Sequence, residues 1–173
     1  GIKLNTVVNS SIFYLGFNML DPIVGGKSER ARLLRQAVSI AVDYEEYISI
    51  FLNGRGIPGQ GPIPPGIFGH IDGKEGINPY IYDWVDNKPK RKSIAYAKTL
   101  LEQANYAQGI DGETNKPLIL YYESVDGGAG SKARLNWLRK QLDKIDIQLV
   151  IRSTDYNRFY DKMSTGAAQL FNW

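Results

Sequence analysis

Apolar residues recur at two spacings along this chain, and each spacing marks a kind of element. Residues 7–17 (VVNSSIFYLGF) are β-branched and aromatic, interrupted by Asn9, Ser10 and Ser11. They predict one or two strands, the stronger over 12–17. The stretch 21–27 (DPIVGGK) carries turn chemistry. Ser28 then stands where an N-cap belongs, and Leu34, Ala37, Val38 and Ala41 share one face, which predicts a helix over 29–42. Asp43 is placed to cap a second, short helix over 44–52, ended by Asn53-Gly54.

Between 54 and 80 the periodicity is lost. The run GRGIPGQGPIPPGIFGHIDGKEGINPY is dense in Gly and Pro and predicts a coil excursion, with irregular chain continuing to about residue 92. Helical spacing returns over 93–106, where Ile94, Ala97, Leu101 and Ala104 align. Residues 118–122 (LILYY) predict a buried strand, 123–130 a loop, and 131–145 the longest helix, with Leu135, Leu138, Leu142 and Ile145 inward. A strand over 147–151 follows. Asp155 then caps a helix carrying Tyr156, Phe159, Tyr160 and Met163, closed by Gly166, and a last strand fills 169–173.

From residue 118 onward the order is strand, helix, strand, helix, strand. Connections this short predict right-handed crossovers and a largely parallel sheet flanked by helices, an α/β fold. Ligands of such sheets gather where the carboxyl ends of the strands meet loops. The loops after Tyr122 and Ile151, with whatever follows Trp173, are therefore the first places to look.

Composition narrows the classes. A chain of 173 residues can hold one domain with a substantial core. Its 43% hydrophobic and 23% charged residues are ordinary for a globular domain. No apolar run approaches the roughly 20 residues that span a bilayer as a helix. The net charge of +3 is a near balance of 21 basic and 18 acidic residues. The densest basic run, KPKRK at 88–92, reads as a solvated linker into the next helix, since a nucleic-acid surface needs a broader basic face. Cysteine is absent, which excludes disulfides and thiolate metal sites and suits an exported bacterial protein. Eleven tyrosines supply either a binding surface or a Tyr-rich core edge.

Catalytic chemistry finds little support. His70 is the single histidine and lies in the Gly/Pro-rich excursion, so neither a Ser/His/Asp arrangement nor a metal site is expected. No G-x-x-x-x-G-K-[ST] loop is present, and no cofactor is expected. A hydrolase would need a close acid pair, and the carboxylates are scattered. Tyr156 opens a helix directly after a strand; it is either an aromatic staple on the first helical turn or a ring at the ligand edge. Asp126, before Gly127-Gly128, is either a turn residue or a ligand contact in the loop after Tyr122.

Several motifs, in one order, resemble a known family. They are FYLGFN at 13–18, LLRQAVSIAVD at 33–43, GPIPPGIFG at 61–69, AKTLLEQA at 97–104, and the helix–strand–helix run at 137–163. The sequence is similar to the family 5 extracellular solute-binding proteins, the dipeptide- and oligopeptide-binding receptors of ABC importers. The resemblance implies one lobe of a type II periplasmic-binding-protein fold, residues 1–173 forming a piece of the second lobe of a two-lobed, exported, periplasmic receptor. It implies a di- or oligopeptide ligand, the first lobe and ABC permease subunits as partners, and no nucleic acid. The loop after 118–122 resembles the family's pocket loop and offers Tyr122, Glu123, Ser124 and Asp126. Tyr156 matches a pocket-wall position that is often aromatic, and Trp173 is expected at the pocket lip; Asn18 is read as structural. The expected ligand-binding set is thus Tyr122, Ser124, Asp126, Tyr156 and Trp173. GAAQLFNW, at 166–173, ends in a strand, so the chain reads as cut from a longer one. Without the facing lobe it is expected to bind ligand weakly.

Overall fold

The computed structural model describes residues 10–173. The described residues divide into two compact units, one holding 10–13 and 44–91, the other holding 14–43 and 92–173. The part of the first expected strand over 7–9 lies outside the described residues.

In the larger unit, β1 (Leu15–Phe17) leads to α1 (Glu29–Ala41). Ser28 caps α1 as the sequence predicts, its hydroxyl accepting from the Ala31 amide at 3.2 Å. Seven residues of α1 are buried, among them Leu34, Ala37, Val38 and Ala41. After α3 (Ile94–Gln103), a tight hairpin of β4 (Ile110–Asp111) and β5 (Lys116–Pro117) precedes the main strands. These are β6 (Ile119–Val125), β7 (Gln148–Thr154) and β8 (Leu170–Asn172), joined by α4 (Gly128–Asp143) and α5 (Tyr156–Ser164). The sheet order is β1-β8-β6-β7, with β6 parallel to both β7 and β8 and with β1 antiparallel to β8. The α/β fold with a mixed, mainly parallel sheet is as expected.

The chain steps from β6 outward to β7 through α4, then back past β6 to β8 through α5. Right-handed crossovers in opposite directions place these two helices on opposite faces of the sheet. Leu120 and Leu142 are buried on the α4 side, along with Ile145 and Ile147 beside it. There α1 packs on both α3 and α4. Arg30 closes this layer from the side. It donates from Nε to the Ala104 carbonyl at 3.0 Å, pairs with Asp111 at 2.9 Å and Glu113 at 2.8 Å, and lies over the Tyr106 ring. Gly109 is required where the β4–β5 hairpin begins, because its φ is +69° and a Cβ there would collide with the Asp146 carbonyl.

In the smaller unit, α2 (Tyr44–Phe51) and the hairpin of β2 (Tyr82–Val85) and β3 (Lys88–Arg91) are tied by Arg91, which bonds Glu45 and the Tyr82 hydroxyl. Burial raises the Tyr82 phenol pKa. Burial also pushes Glu45 upward, but hydrogen bonds from Tyr82 and Arg91 outweigh it and leave the carboxyl below its ordinary value. The expected linker over 88–92 is thereby corrected: Lys88, Pro89, Lys90 and Arg91 form a strand. Asp86 and Asn87, at φ of 50° and 59°, make the left-handed two-residue turn that closes such a hairpin. Pro89 is tolerated because this sheet has only two strands, both of them edges.

Candidate functional site

In the larger unit β6 and β7 finish at one level, and β8 runs beside β6 up to that level. Val125 pairs in register with Thr154, and Glu123 with Phe171, which puts Trp173 level with the end of β6. The Asp126 amide donates to the Thr154 carbonyl at 2.9 Å, holding the first two ends together. On the far side, Tyr14 and Trp173 exchange backbone hydrogen bonds of 3.0 and 3.1 Å. Asp126, Tyr156 and Trp173 thus stand at one level on neighbouring strands, and all three are exposed.

The expected loop boundaries need correction. β6 runs to Val125 instead of ending at Tyr122, and α4 begins at Gly128, so residues 123–125 are strand. β7 likewise continues to Thr154, past Ile151. Ladder hydrogen bonds between β6 and β7 hold these residues extended although Glu and Ser are poor strand formers. Tyr122 and Ser124 therefore lie in the sheet beneath the edge, 5% and 6% exposed. The Tyr122 hydroxyl donates to Asn172 Oδ1 at 2.8 Å, cross-linking β6 to β8 directly below Trp173. The Ser124 hydroxyl bonds the Val125 carbonyl at 3.2 Å.

The loop ends are ordered by their own side chains. Asp126 Oδ1 accepts from the Gly128 amide at 3.4 Å. Asp155 caps α5 by accepting from the Arg158 amide at 3.1 Å, which places Tyr156 in the first turn. The Tyr156 and Tyr160 rings, one helical turn apart, stack with centroids 6.4 Å apart and both exposed. Trp173 and Tyr156 leave two aromatic surfaces at one sheet edge, with the Asp126 carboxylate between their strands.

Sequence reasoning did not single out Glu123 for the role it takes. On β6 it is 1% exposed and accepts from Lys162 Nζ of α5 at 2.5 Å. Arg152 of β7 reaches its other oxygen at 3.6 Å while lying 3.9 Å above the Tyr121 ring centroid. The available signal was a lone carboxylate inside an apolar strand, since such a charge needs cations around it. Asn18 is structural as expected, its Nδ2 donating to the Gly166 carbonyl at 2.8 Å. A cavity of about 250 Å³ lies elsewhere, at the amino end of the sheet, lined by Leu101, Ile145 and the 2.7 Å Lys98–Asp146 ion pair. Among the described residues no group of three His, Cys, Asp or Glu is arranged to hold a metal ion. No described helix is long and apolar enough to cross a membrane.

The family model of the bacterial extracellular solute-binding proteins, family 5, middle part, matches residues 1–173, and the chain belongs to that family. Members are binding proteins, not enzymes, so the hydrolase and nucleic-acid alternatives are not favoured. A search of curated proteins found no match. Solved structures share the fold. The periplasmic binding protein DppA from Helicobacter pylori, in complex with the peptide STSA, is 20% identical with a TM-score of 0.68; the match covers 96% of this chain and 28% of that one. AgaA from A. tumefaciens R10, in complex with agropinic acid, gives 22% and 0.70, covering 96% and 29%. The oligopeptide-binding protein AppA from Bacillus subtilis, in complex with a nonapeptide, gives 20% and 0.68, covering 96% and 32%. This chain thus spans about a third or less of the length of these proteins.

Proposed function

We propose that residues 1–173 are part of the ligand-capturing lobe of a receptor that collects peptides outside the cytoplasm and hands them to the permease of an ABC importer. The observation that carries this reading is the common level at which β6 and β7 end and to which β8 reaches, bringing Asp126, Tyr156 and Trp173 to one edge. Family membership over the whole chain supports solute capture, and the peptide complexes of DppA and AppA support a peptide as the solute. In this reading Asp126, Tyr156 and Trp173 face the ligand, while Tyr122 and Ser124 hold the edge from beneath. The aromatic rings would cover apolar side chains, and Asp126 would meet a donor or cationic group of the ligand. A first lobe of the same protein would close over the bound peptide, and burial between the lobes would offset the cost of ordering it. A periplasmic location goes with this role.

AgaA, in complex with agropinic acid, favours a second reading, in which the solute is a non-peptide acid. Calorimetry of the full-length receptor with a panel of di- to nonapeptides separates the two. The expected result is saturable heat with at least one peptide, weakened by Tyr156→Ala and by Trp173→Ala. Silence toward every peptide, with tight binding of a non-peptide solute, would overturn the peptide assignment.

A further inference from the structure

α5 is held to the sheet thinly. Phe159 is its one buried residue, whereas α1 buries seven. Its outward surface carries Tyr156 and Tyr160, each more than half exposed. What joins its last turn to the sheet is the Lys162 ammonium on the buried Glu123 carboxylate. The same lysine is fixed from behind, because its carbonyl accepts from the amides of Ala167 and Ala168 where the chain turns toward β8. Glu123 in turn sits opposite Arg152, whose guanidinium lies on Tyr121. A helix of nine residues, about two and a half turns, is a stiff rod, so fixing its last turn also fixes the direction of its first.

We infer that Glu123 and Lys162 are positioning residues that set the angle of α5, and through it the place of Tyr156 at the ligand edge. This inference rests on the peptide-capture reading of that edge. An apolar pair at 123 and 162 would bury as much surface but would let the helix slide, because dispersion contacts have no preferred direction. A charge-assisted hydrogen bond of 2.5 Å to a carboxylate on a central strand does have one. Glu123 is 1% exposed beneath the edge, and pairing the Lys162 variant with a Tyr156 variant reads whether an effect on binding passes through α5.

The test uses the full-length receptor, its strongest binder from the peptide panel, and four variants: Lys162→Met, Lys162→Arg, Tyr156→Ala, and the Lys162→Met/Tyr156→Ala pair. A residue of merely structural importance lowers the melting temperature and leaves affinity at 25 °C unchanged, because the folded fraction stays close to one. A positioning residue lowers affinity itself. Expected are a roughly tenfold weaker Kd for Lys162→Met, restored in large part by Lys162→Arg, and no further loss when Lys162→Met is added to Tyr156→Ala. Amide exchange over 156–164 should also accelerate in Lys162→Met, with or without peptide, while exchange in α4 stays as it was. Unchanged affinity in Lys162→Met, or losses that simply add in the double variant, would overturn the inference. If Tyr156→Ala alone leaves affinity intact, the ligand-edge reading falls. Exchange over 156–164 then still decides whether the ion pair holds the helix. Glu123→Gln, which keeps the shape of the side chain, checks the same outcomes from the strand side.

Discussion

The two faces of the four-stranded sheet are held by different physics. On the α4 side, α1, α3 and α4 bury Leu34, Leu101, Leu142 and Ile145 essentially completely. Apolar burial is non-directional and large, of the order of 25 cal/mol per Å² removed from water, so this face supplies stability. On the opposite face α5 adds one buried phenylalanine and an ion pair, with its N-terminal turn at the open edge. The first face supplies bulk burial, and the second fewer, directional contacts. Only the second carries candidate ligand contacts on a helix.

The largest expected contrast comes from truncation on each side. Leu120→Ala removes a fully buried side chain and should cost about 3 kcal/mol in urea unfolding. Lys162→Met leaves the Glu123 carboxylate with only the more distant Arg152; because Lys162 is 30% exposed and Arg152 remains, the loss should fall below the roughly 3–5 kcal/mol of a fully buried pair, to about 2 kcal/mol. Replacing both partners together, Glu123→Leu with Lys162→Leu, should recover most of that loss, since well-packed apolar pairs commonly match buried ion pairs in stability. A double variant no more stable than Lys162→Met would show that the pair contributes more than its own charge balance.

Cap removal is a smaller perturbation. Ser28→Ala and Asp155→Ala each delete one side-chain acceptor at a helix start and should each cost about 1 kcal/mol globally. They should differ locally. Asp155→Ala should speed amide exchange across α5, while Ser28→Ala leaves α1 protected by its seven buried residues.

The smallest effect is a pH dependence at the side clamp on α1. Backbone hydrogen bonding from the Glu113 amide, with Arg30 also contributing, holds the Asp111 carboxyl below its ordinary value. A carboxylate lowered on folding adds stability above its unfolded pKa of about 3.9, and that gain is lost as pH falls through the folded value. Asp111→Asn should therefore be slightly less stable than the parent at pH 7. The difference in urea midpoint should close as pH drops below about 4.

The same contrast explains what the sequence could disclose. Helices α1, α3 and α4 were legible because Leu34 with Ala37, Val38 and Ala41, Ala97 with Leu101, and Leu138 with Leu142 recur at helical spacing, and the caps at Ser28 and Asp155 marked starts correctly. The ends of β6 and β7 were not legible. Glu123, Ser124, Ser153 and Thr154 read as loop residues, and only pairing with a neighbouring strand holds them extended. The β2–β3 hairpin was hidden by its lysines, whose strand conformation comes from the Asp86-Asn87 turn and not from apolar alternation. At the site, the types and order of Asp126, Tyr156 and Trp173 pointed to a sheet edge. Their sharing of one level needed the register. The Glu123–Lys162 pair joins residues 39 apart in sequence, and no local spacing could reveal it.

The central claim is that a solute is gripped where β6 and β7 end beside β8. Amide exchange of the full-length receptor, measured with and without its peptide, addresses this directly. Slowed exchange concentrated at residues 125–131, 154–157 and 172–173 is the expected pattern. Protection confined to the Gly/Pro-rich run at 54–80 or to the Lys98–Asp146 cavity, with those three segments unaffected, would contradict it.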